Sequence, residues 1–283
     1  MMRLIADSGS TKTSWMLTLN GVLLQQFHTK GFNPYYYSQD DISEILERDL
    51  PHDLPTESIK EVIYYGSGCS TEKNCHVVSV AIQRFFSEAN MLIHHDLIGA
   101  AHALLGHRGG IACILGTGSN SCLYDGEKIV SNVPSLGYLL GDEGSGLQIG
   151  KKLLTDILYK KAPEHIQNDF NNTYHLSLSD ILSNLYQKDK PGRFLSSFAP
   201  FVGERIGHPY CHDLVASCFD DFIRVQLSQY DGYRQLPVSF VGSVAWHFKD
   251  ILTERLLNAG INPGIIMQSP AEGLLKFYAD IPL

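Results

Sequence analysis

The chain has 283 residues, a formal net charge of -8 and 44% hydrophobic residues. That length gives one large domain or two of ordinary size with enough apolar side chains for proper cores. The acidic balance argues against nucleic acid or an anionic membrane surface as the main partner. No apolar run approaches the ~18 residues of a membrane span, and the N-terminus starts directly on a strand with no signal-peptide pattern, so a soluble cytoplasmic protein is the default expectation.

In chain order, Met2 to Asp7 is a short apolar run ending in a carboxylate, Ser8-Gly9-Ser10-Thr11-Lys12-Thr13 is a loop of small and polar residues, and Ser14 to Leu19 is a second strand. Asn20-Gly21, the strongest short-range hairpin signal, then leads into Val22 to Phe27. The loop has the chemistry of a phosphate loop. Its small side chains let backbone N–H groups approach an anion, its hydroxyls and Lys12 add donors, and Asp7 offers a carboxylate to a magnesium ion or its waters. The G-x-x-x-x-G-K-[ST] spacing of the common nucleotide hydrolases is absent, and a strand rather than a helix follows. Taken alone, the stretch is equally an ordinary hairpin with a polar loop.

Gly31 to Tyr37 is an aromatic turn in which Asn33 precedes Pro34, so it could bond a sugar hydroxyl or close an Asx turn on its own backbone. Ser38-Gln39-Asp40 caps a helix with Ile42, Ile45 and Leu46 on one face, ended by Pro51 and Pro55. Ile59 to Tyr65 reads as a strand stopped by Gly66-Ser67-Gly68, Cys75 to Phe86 as a helix, Met91 to Ile93 as a strand, and Gly99 to Leu105 as a helix. A mixed sheet flanked by helices is the expectation. Asp96 follows the strand end, where open α/β sheets bring their ligands, so it serves either as a proton acceptor or as a helix N-cap. His94 and His95 point to opposite faces of the strand and are expected at the core or its rim.

The first arrangement recurs about a hundred residues later. Gly109 to Leu115 is an apolar run, Gly116-Thr117-Gly118-Ser119-Asn120 a small-residue loop, Ser121 to Tyr124 a strand, and Asp125-Gly126 a hairpin turn before Glu127 to Val130. Two copies imply two similar halves, each presenting a loop to a shared cleft, able to grip the β- and γ-phosphates of one nucleotide from both sides.

Leu136 to Gly150 is the densest motif, with Gly137, Gly141, Gly144, Gly146 and Gly150 around Asp142 and Glu143, ahead of a helical run from Lys151. Its N–H groups can bind an anion, and Asp142 or Glu143 can hold a cation or a ligand hydroxyl. Residues 163 to 235 read as helices, one starting at Ser179, one over Phe194 to Ile206 and one over Asp213 to Gln229, with no evident catalytic group. Pro237 to Val241 is a strand and Gly242-Ser243 a tight turn suited to the flat face of a nucleoside. Val244 to Asn258 is then a helix, Ile265 to Met267 a last strand and Ala271 to Asp280 a closing helix. The six cysteines read as reduced core residues. The cluster of His208, Cys211, His212 and Cys218 fits no standard zinc spacing.

Together these pieces resemble the superfamily of sugar kinases, heat-shock ATPases and actin. Asp7 to Thr13 resembles its first phosphate motif, Gly116 to Asn120 its second and Val241-Gly242-Ser243-Val244 its adenosine motif. The pairing of Gly116 to Asn120 with Gly141-Asp142-Glu143-Gly144-Ser145 resembles the N-acetylglucosamine kinases and the BadF/BcrA-type ATPases. The resemblance covers almost the whole chain. It implies an α/β protein of two ribonuclease-H-like, actin-like ATPase domains with ATP and Mg2+ in an interdomain cleft. The first domain would be residues 1–107 joined by the closing helix 271–283, the second 108–270 with a helical insertion.

The resemblance also implies roles. Asp96 would be the general base and Asp7 would serve the metal through water. Ser8, Gly9, Ser10, Thr11, Lys12, Thr13, Gly116, Thr117, Gly118, Ser119, Gly242 and Ser243 would bind ATP, and Asn33, Asp96, Thr117 and Asp142 would bind the sugar. The implied chemistry is attack of a sugar hydroxyl, most of all of N-acetylglucosamine, on the γ-phosphate, catalysed by positioning and charge neutralisation. A homodimer is compatible with it. Two departures stand out: Ser8 and Ser10 replace family glycines, and Ser135-Leu136 replaces the Gly-Trp of the animal enzymes, removing an aromatic face from the sugar site. The alternative function is an ATPase that activates a partner dehydratase, which needs interface cysteines for an iron–sulfur cluster. Cys113 and Cys122, on the second hairpin unit, are expected inside the sheet instead.

Overall fold

The computed structural model describes residues 1–9 and 11–279, so Ser10 and residues 280–283, on which part of the expected closing helix falls, lie outside the described residues. The elements in order are β1 (Met2–Ser8), β2 (Lys12–Leu19), β3 (Val22–Lys30), α1 (Gln39–Asp49), β4 (Ile59–Gly66), α2 (Glu72–Gln83), β5 (Asn90–His95) and α3 (Asp96–Leu105). Then come β6 (Gly110–Leu115), β7 (Ser119–Tyr124), β8 (Ile129–Val133), α4 (Gly137–Leu140), α5 (Gly146–Leu158), α6 (Glu164–Tyr174), α7 (Leu178–Tyr186), α8 (Pro191–Ser196), α9 (Ala199–Glu204) and α10 (Pro209–Val225). The chain closes with β9 (Pro237–Val241), α11 (Ser243–His247), α12 (Lys249–Asn258), β10 (Asn262–Met267) and α13 (Ala271–Ala279). Among the described residues no helix is long and apolar enough to cross a membrane.

The chain divides into two compact units, Met1–His107 with the segment from Ser269 on, and Arg108–Gln268. The sheet of the first unit has the order β3-β2-β1-β4-β5, and that of the second, read from its far edge, β8-β7-β6-β9-β10. In each, the three leading strands are antiparallel neighbours and the last two join parallel to the first. Each unit therefore carries the ribonuclease-H-like arrangement that the repeated motif implies.

Alternation along the strands explains the layering of the first unit. Leu4, Ala6, Trp15, Leu17, Val62 and Tyr64 face one way and pack with Ile42, Leu46, Val78 and Ile82 of α1 and α2. Ile5, Met16, Ile63 and Tyr65 face the other way and meet Ala103 of α3 and Leu274 of α13. With both faces apolar, the central strands are buried on both sides by helices. In the second unit one large core joins β6, β9, α5, α10 and α12 through residues such as Leu115, Leu153, Phe219, Phe240 and Leu252.

Several boundaries differ from the sequence expectation for identifiable reasons. The span expected as one helix from Phe194 to Ile206 is two, α8 and α9, because Pro200 in the first turn of α9 has no N–H to continue a helix through it. The helix expected from Lys151 starts at Gly146, where the Ser145 hydroxyl accepts the Gln148 N–H. Its glycines mask the periodicity, yet Gly150 is sterically required, since a Cβ there would stand 1.9 Å from the Leu195 carbonyl oxygen. The Asn20-Gly21 hairpin forms as expected, with φ of 50° and 82°. Asp125-Gly126 instead opens a longer turn, in which the Asp125 carboxylate accepts the N–H groups of Glu127 and Lys128.

Candidate functional site

In the first unit the loop between β1 and β2 is folded back on itself. The Gly9 N–H donates to the Lys12 carbonyl at 3.1 Å, and the Gly31 N–H donates to the Thr11 carbonyl at 2.9 Å. A Cβ on Gly31 would lie 2.2 Å from the Gly9 oxygen and 2.5 Å from the Lys12 nitrogen, so only glycine lets the end of β3 support the loop this closely. Sequence reasoning had placed Gly31 in a turn and missed this role. The loop residues divide by exposure. Gly9, Thr11 and Lys12 are exposed, while Ser8 and Thr13 are fully buried with their hydroxyls 2.7 Å apart, beneath the loop. The Ser10 assignment lies outside the described residues.

Asp7 lies near the end of β1 and Asp96 directly follows β5, the two strands being separated in the sheet by β4, with which both pair in parallel. Burial first, and then the charge of Asp96, push the Asp7 carboxyl up to about 7 against the opposing charge of Lys12. Asp96 is likewise raised, chiefly by burial. It is not the N-cap of α3. That position belongs to His95, whose Nδ1 accepts the Leu97 N–H at 3.3 Å, and Asp96 is the first helical residue. A His95 Nδ1 that accepts this N–H carries no proton for the carboxylate 3.1 Å away. Asp96 Oδ1 is buried and has no hydrogen-bond partner among the described residues. The His94 ring stacks on Tyr65, inside the unit rather than at a metal.

Asn33 closes an Asx turn, its Oδ1 accepting the Tyr35 N–H at 2.9 Å and resting against Gly68, where φ is +84° and a Cβ would fall 2.2 Å from that oxygen. Its Nδ2 has no hydrogen-bond partner among the described residues and remains a donor. Both alternatives weighed for this residue are thus compatible in one side chain.

In the second unit the Gly116 to Gly118 loop, the Gly141 to Ser145 motif and the Gly242 turn converge. The Gly116 N–H donates to the Gly118 carbonyl, and the N–H groups of Gly146 and Leu147 at the start of α5 donate to the carbonyls of Gly116 and Thr117. Ser119 donates its N–H to Asp142 Oδ1 at 2.9 Å, and a Cβ on Gly118 would stand 2.6 Å from the same oxygen. Burial raises the Asp142 carboxyl, with the Ser119 N–H opposing. The Ser119 hydroxyl is buried and without a hydrogen-bond partner among the described residues, while Thr117 is exposed. Gly242, with φ +128°, leaves no space for a side chain, as its Cβ would be 2.3 Å from the Leu115 carbonyl oxygen.

A cavity of about 500 Å3 opens beside these turns, lined by Gly116, Thr117, Gly146, Ser243 and Val244 and by Ser196, Ala199, Pro200, Gly203, Glu204, His247 and Phe248. Its end at Gly116, Thr117 and Gly146 is polar backbone, and its far wall, from α9 and the end of α11, is largely apolar. That far wall comes from the helical stretch where sequence reasoning had found nothing. Its only signal was an Ala-Pro followed by Gly203, weak without coordinates. His208, Cys211, His212 and Cys218 form no centre, since among the described residues no group of three or more His, Cys, Asp or Glu could hold a metal.

No family model matches the sequence. A curated N-acetyl-D-glucosamine kinase of Dictyostelium discoideum is 31% identical over 171 residues, 55% of this chain and 53% of that protein, so the match spans about half the length of this curated relative. A solved structure from Porphyromonas gingivalis, named provisionally as an N-acetylglucosamine kinase, is 38% identical, covers 99% of both chains and superposes with a TM-score of 0.95. A ROK family glucokinase from Streptomyces griseus, solved with glucose and AMPPNP, shares the fold at 16% identity and a TM-score of 0.59, over 98% of each chain.

Proposed function

The chain belongs to the N-acetylglucosamine kinase family within the superfamily of sugar kinases, heat-shock ATPases and actin, and on that premise we propose that it transfers the γ-phosphate of ATP to a hydroxyl of an amino sugar, N-acetylglucosamine first. The observation that carries this is the state of Asp96. Its carboxylate stands at the end of a sheet strand, is released from capping by His95, and has an oxygen with no donor of its own. Such a group, with its proton affinity raised by burial, is suited to take the proton of an attacking hydroxyl.

The remaining residues fall into supporting roles. The donors that the family resemblance assigns to the phosphates are the exposed Thr11 and Lys12 in one unit, and Thr117 and the Ser119 hydroxyl in the other. The cavity beside Gly242 and Ser243 takes the nucleoside. For the sugar, the family resemblance assigns Asn33, through its Nδ2, and Asp96 in the first unit, and Thr117 and Asp142 in the second. Asp7 would suit a Mg2+ ion held through water, because a cation favours the ionised carboxylate against the burial and the Asp96 charge that raise its pKa, and Mg2+ keeps most of its waters rather than needing a protein cage. When bound, the ion neutralises charge on the transferring phosphoryl group.

The dehydratase-activator alternative draws no support from the cysteines. All six are free and five are buried, Cys113 and Cys122 fully so, leaving only Cys75 partly exposed, where a cluster at an interface needs surface thiolates. The test is ADP release against a panel of sugars, with iron measured on the same anaerobic sample. Turnover stimulated at least ~100-fold by N-acetylglucosamine over water, without iron, is expected. Iron with sugar-independent hydrolysis would favour the activator.

A further inference from the structure

The turn carrying Asp142 has a left-handed backbone, with φ +63° at Asp142, which aspartate tolerates but which its contacts must hold, and φ +72° at Gly144, which glycine adopts freely. Two tethers run from this turn to α10. Gly144 donates its N–H to Gln148 Oε1 at 2.7 Å, and Gln148 donates its Nε2 to Asp221 Oδ2 at 2.9 Å. Asp221 is itself fixed by Lys152 Nζ at 3.2 Å and by Arg224 at 2.8 Å, and Lys152 also donates to Ser217. At the adjoining residue, Gln226 Nε2 donates to Glu143 Oε2 at 3.3 Å.

The chemistry of the first tether is directional. An ionised Asp221 accepts and cannot donate, so it must face the amide nitrogen of Gln148, which turns Oε1 toward Gly144. We propose that Gln148 is a positioning residue, oriented by Asp221, that holds the Gly144 amide and thereby aims the Asp142 carboxylate; this rests on the assignment of Asp142 to the sugar. Neither Gln148 nor Asp221 belongs to the motif pairs that mark the family in the sequence.

The test is kinetic and pH-resolved. Gln148→Glu keeps an acceptor for Gly144 but sets a second carboxylate against Asp221, so the two must share a proton to keep the geometry. Measured against wild type at each pH, kcat/KM for the sugar falls at least ~10-fold at pH 8 and recovers toward pH 6, while the KM for ATP stays within ~3-fold. The double variant Gln148→Glu with Asp221→Asn restores an acceptor–donor pair, and sugar kcat/KM returns to within ~3-fold of wild type at pH 8. A single variant with unchanged sugar kinetics across pH, or one whose loss is equal for ATP and sugar and is not rescued by Asp221→Asn, overturns the inference. If wild type itself phosphorylates no sugar of the panel, the kinase assignment fails and this inference falls with it.

Discussion

Asp7 on β1 and Asp96 at the start of α3 are two carboxylates with raised proton affinity, and the roles proposed for them differ. Asp96→Asn keeps the shape and loses the acceptor. Nucleotide binding by calorimetry should be retained, while sugar-dependent ATP turnover falls at least ~100-fold, the usual scale for removing a general base. Asp7 carries a stability signature. Its folded-state pKa of about 7 exceeds the unfolded value near 3.8, so the folded chain binds the extra proton between those values and stability declines as pH rises through that window. Asp7→Asn should therefore melt higher than wild type at pH 8, with the gain gone near pH 4, and should also show a weaker Mg2+ dependence of turnover. A variant that melts lower at pH 8 would contradict the buried-charge account.

At the scale of elements, the site depends on glycines that let backbone approach backbone. Gly31→Ala places a methyl within 2.5 Å of two backbone atoms of the first loop, and Gly242→Ala combines such a clash with φ +128°. Each substitution should cost roughly 1–3 kcal/mol in stability and weaken ATP at least ~10-fold, measured by melting and by equilibrium binding. The helix pair α3 and α13 makes a separate prediction. His102 stacks on Phe277 at 4.1 Å and bonds Tyr65, and burial, then the charges of His94 and His107, bring its pKa down to about 4. Its folded pKa lies below its unfolded value of 6.5, so the stability it lends at neutral pH is lost as pH falls from 6.5 toward 4. Compared with wild type, His102→Gln should lose less melting temperature between pH 7 and pH 5. The strands and hairpins behind these elements were legible because alternation and Asn-Gly are local signals. The support from Gly31 and the cap by His95 were not, because a glycine after a strand and a histidine before an aspartate acquire meaning only from what the fold brings against them.

Over the whole molecule, the repeated strand–loop–strand unit was the most informative feature of the sequence, and it reappears as two sheets of one topology. The glycine-rich motifs at Gly116 to Asn120 and Gly141 to Ser145 were readable because close backbone packing demands glycine in fixed patterns. The largely apolar wall from α9 and the end of α11 was not, since small and apolar side chains are what any core helix also has. Leu136 is exposed, and the sugar is the part of the proposal that product identity tests more sharply than ATP consumption. The decisive measurement is phosphorus NMR of wild-type protein incubated with ATP, Mg2+ and N-acetylglucosamine, with Asp96→Asn in parallel. One new sugar-phosphate resonance growing in step with ADP, and absent in the variant, is the predicted result. ADP and free phosphate without a phosphorylated sugar, or equal product from the variant, would contradict it.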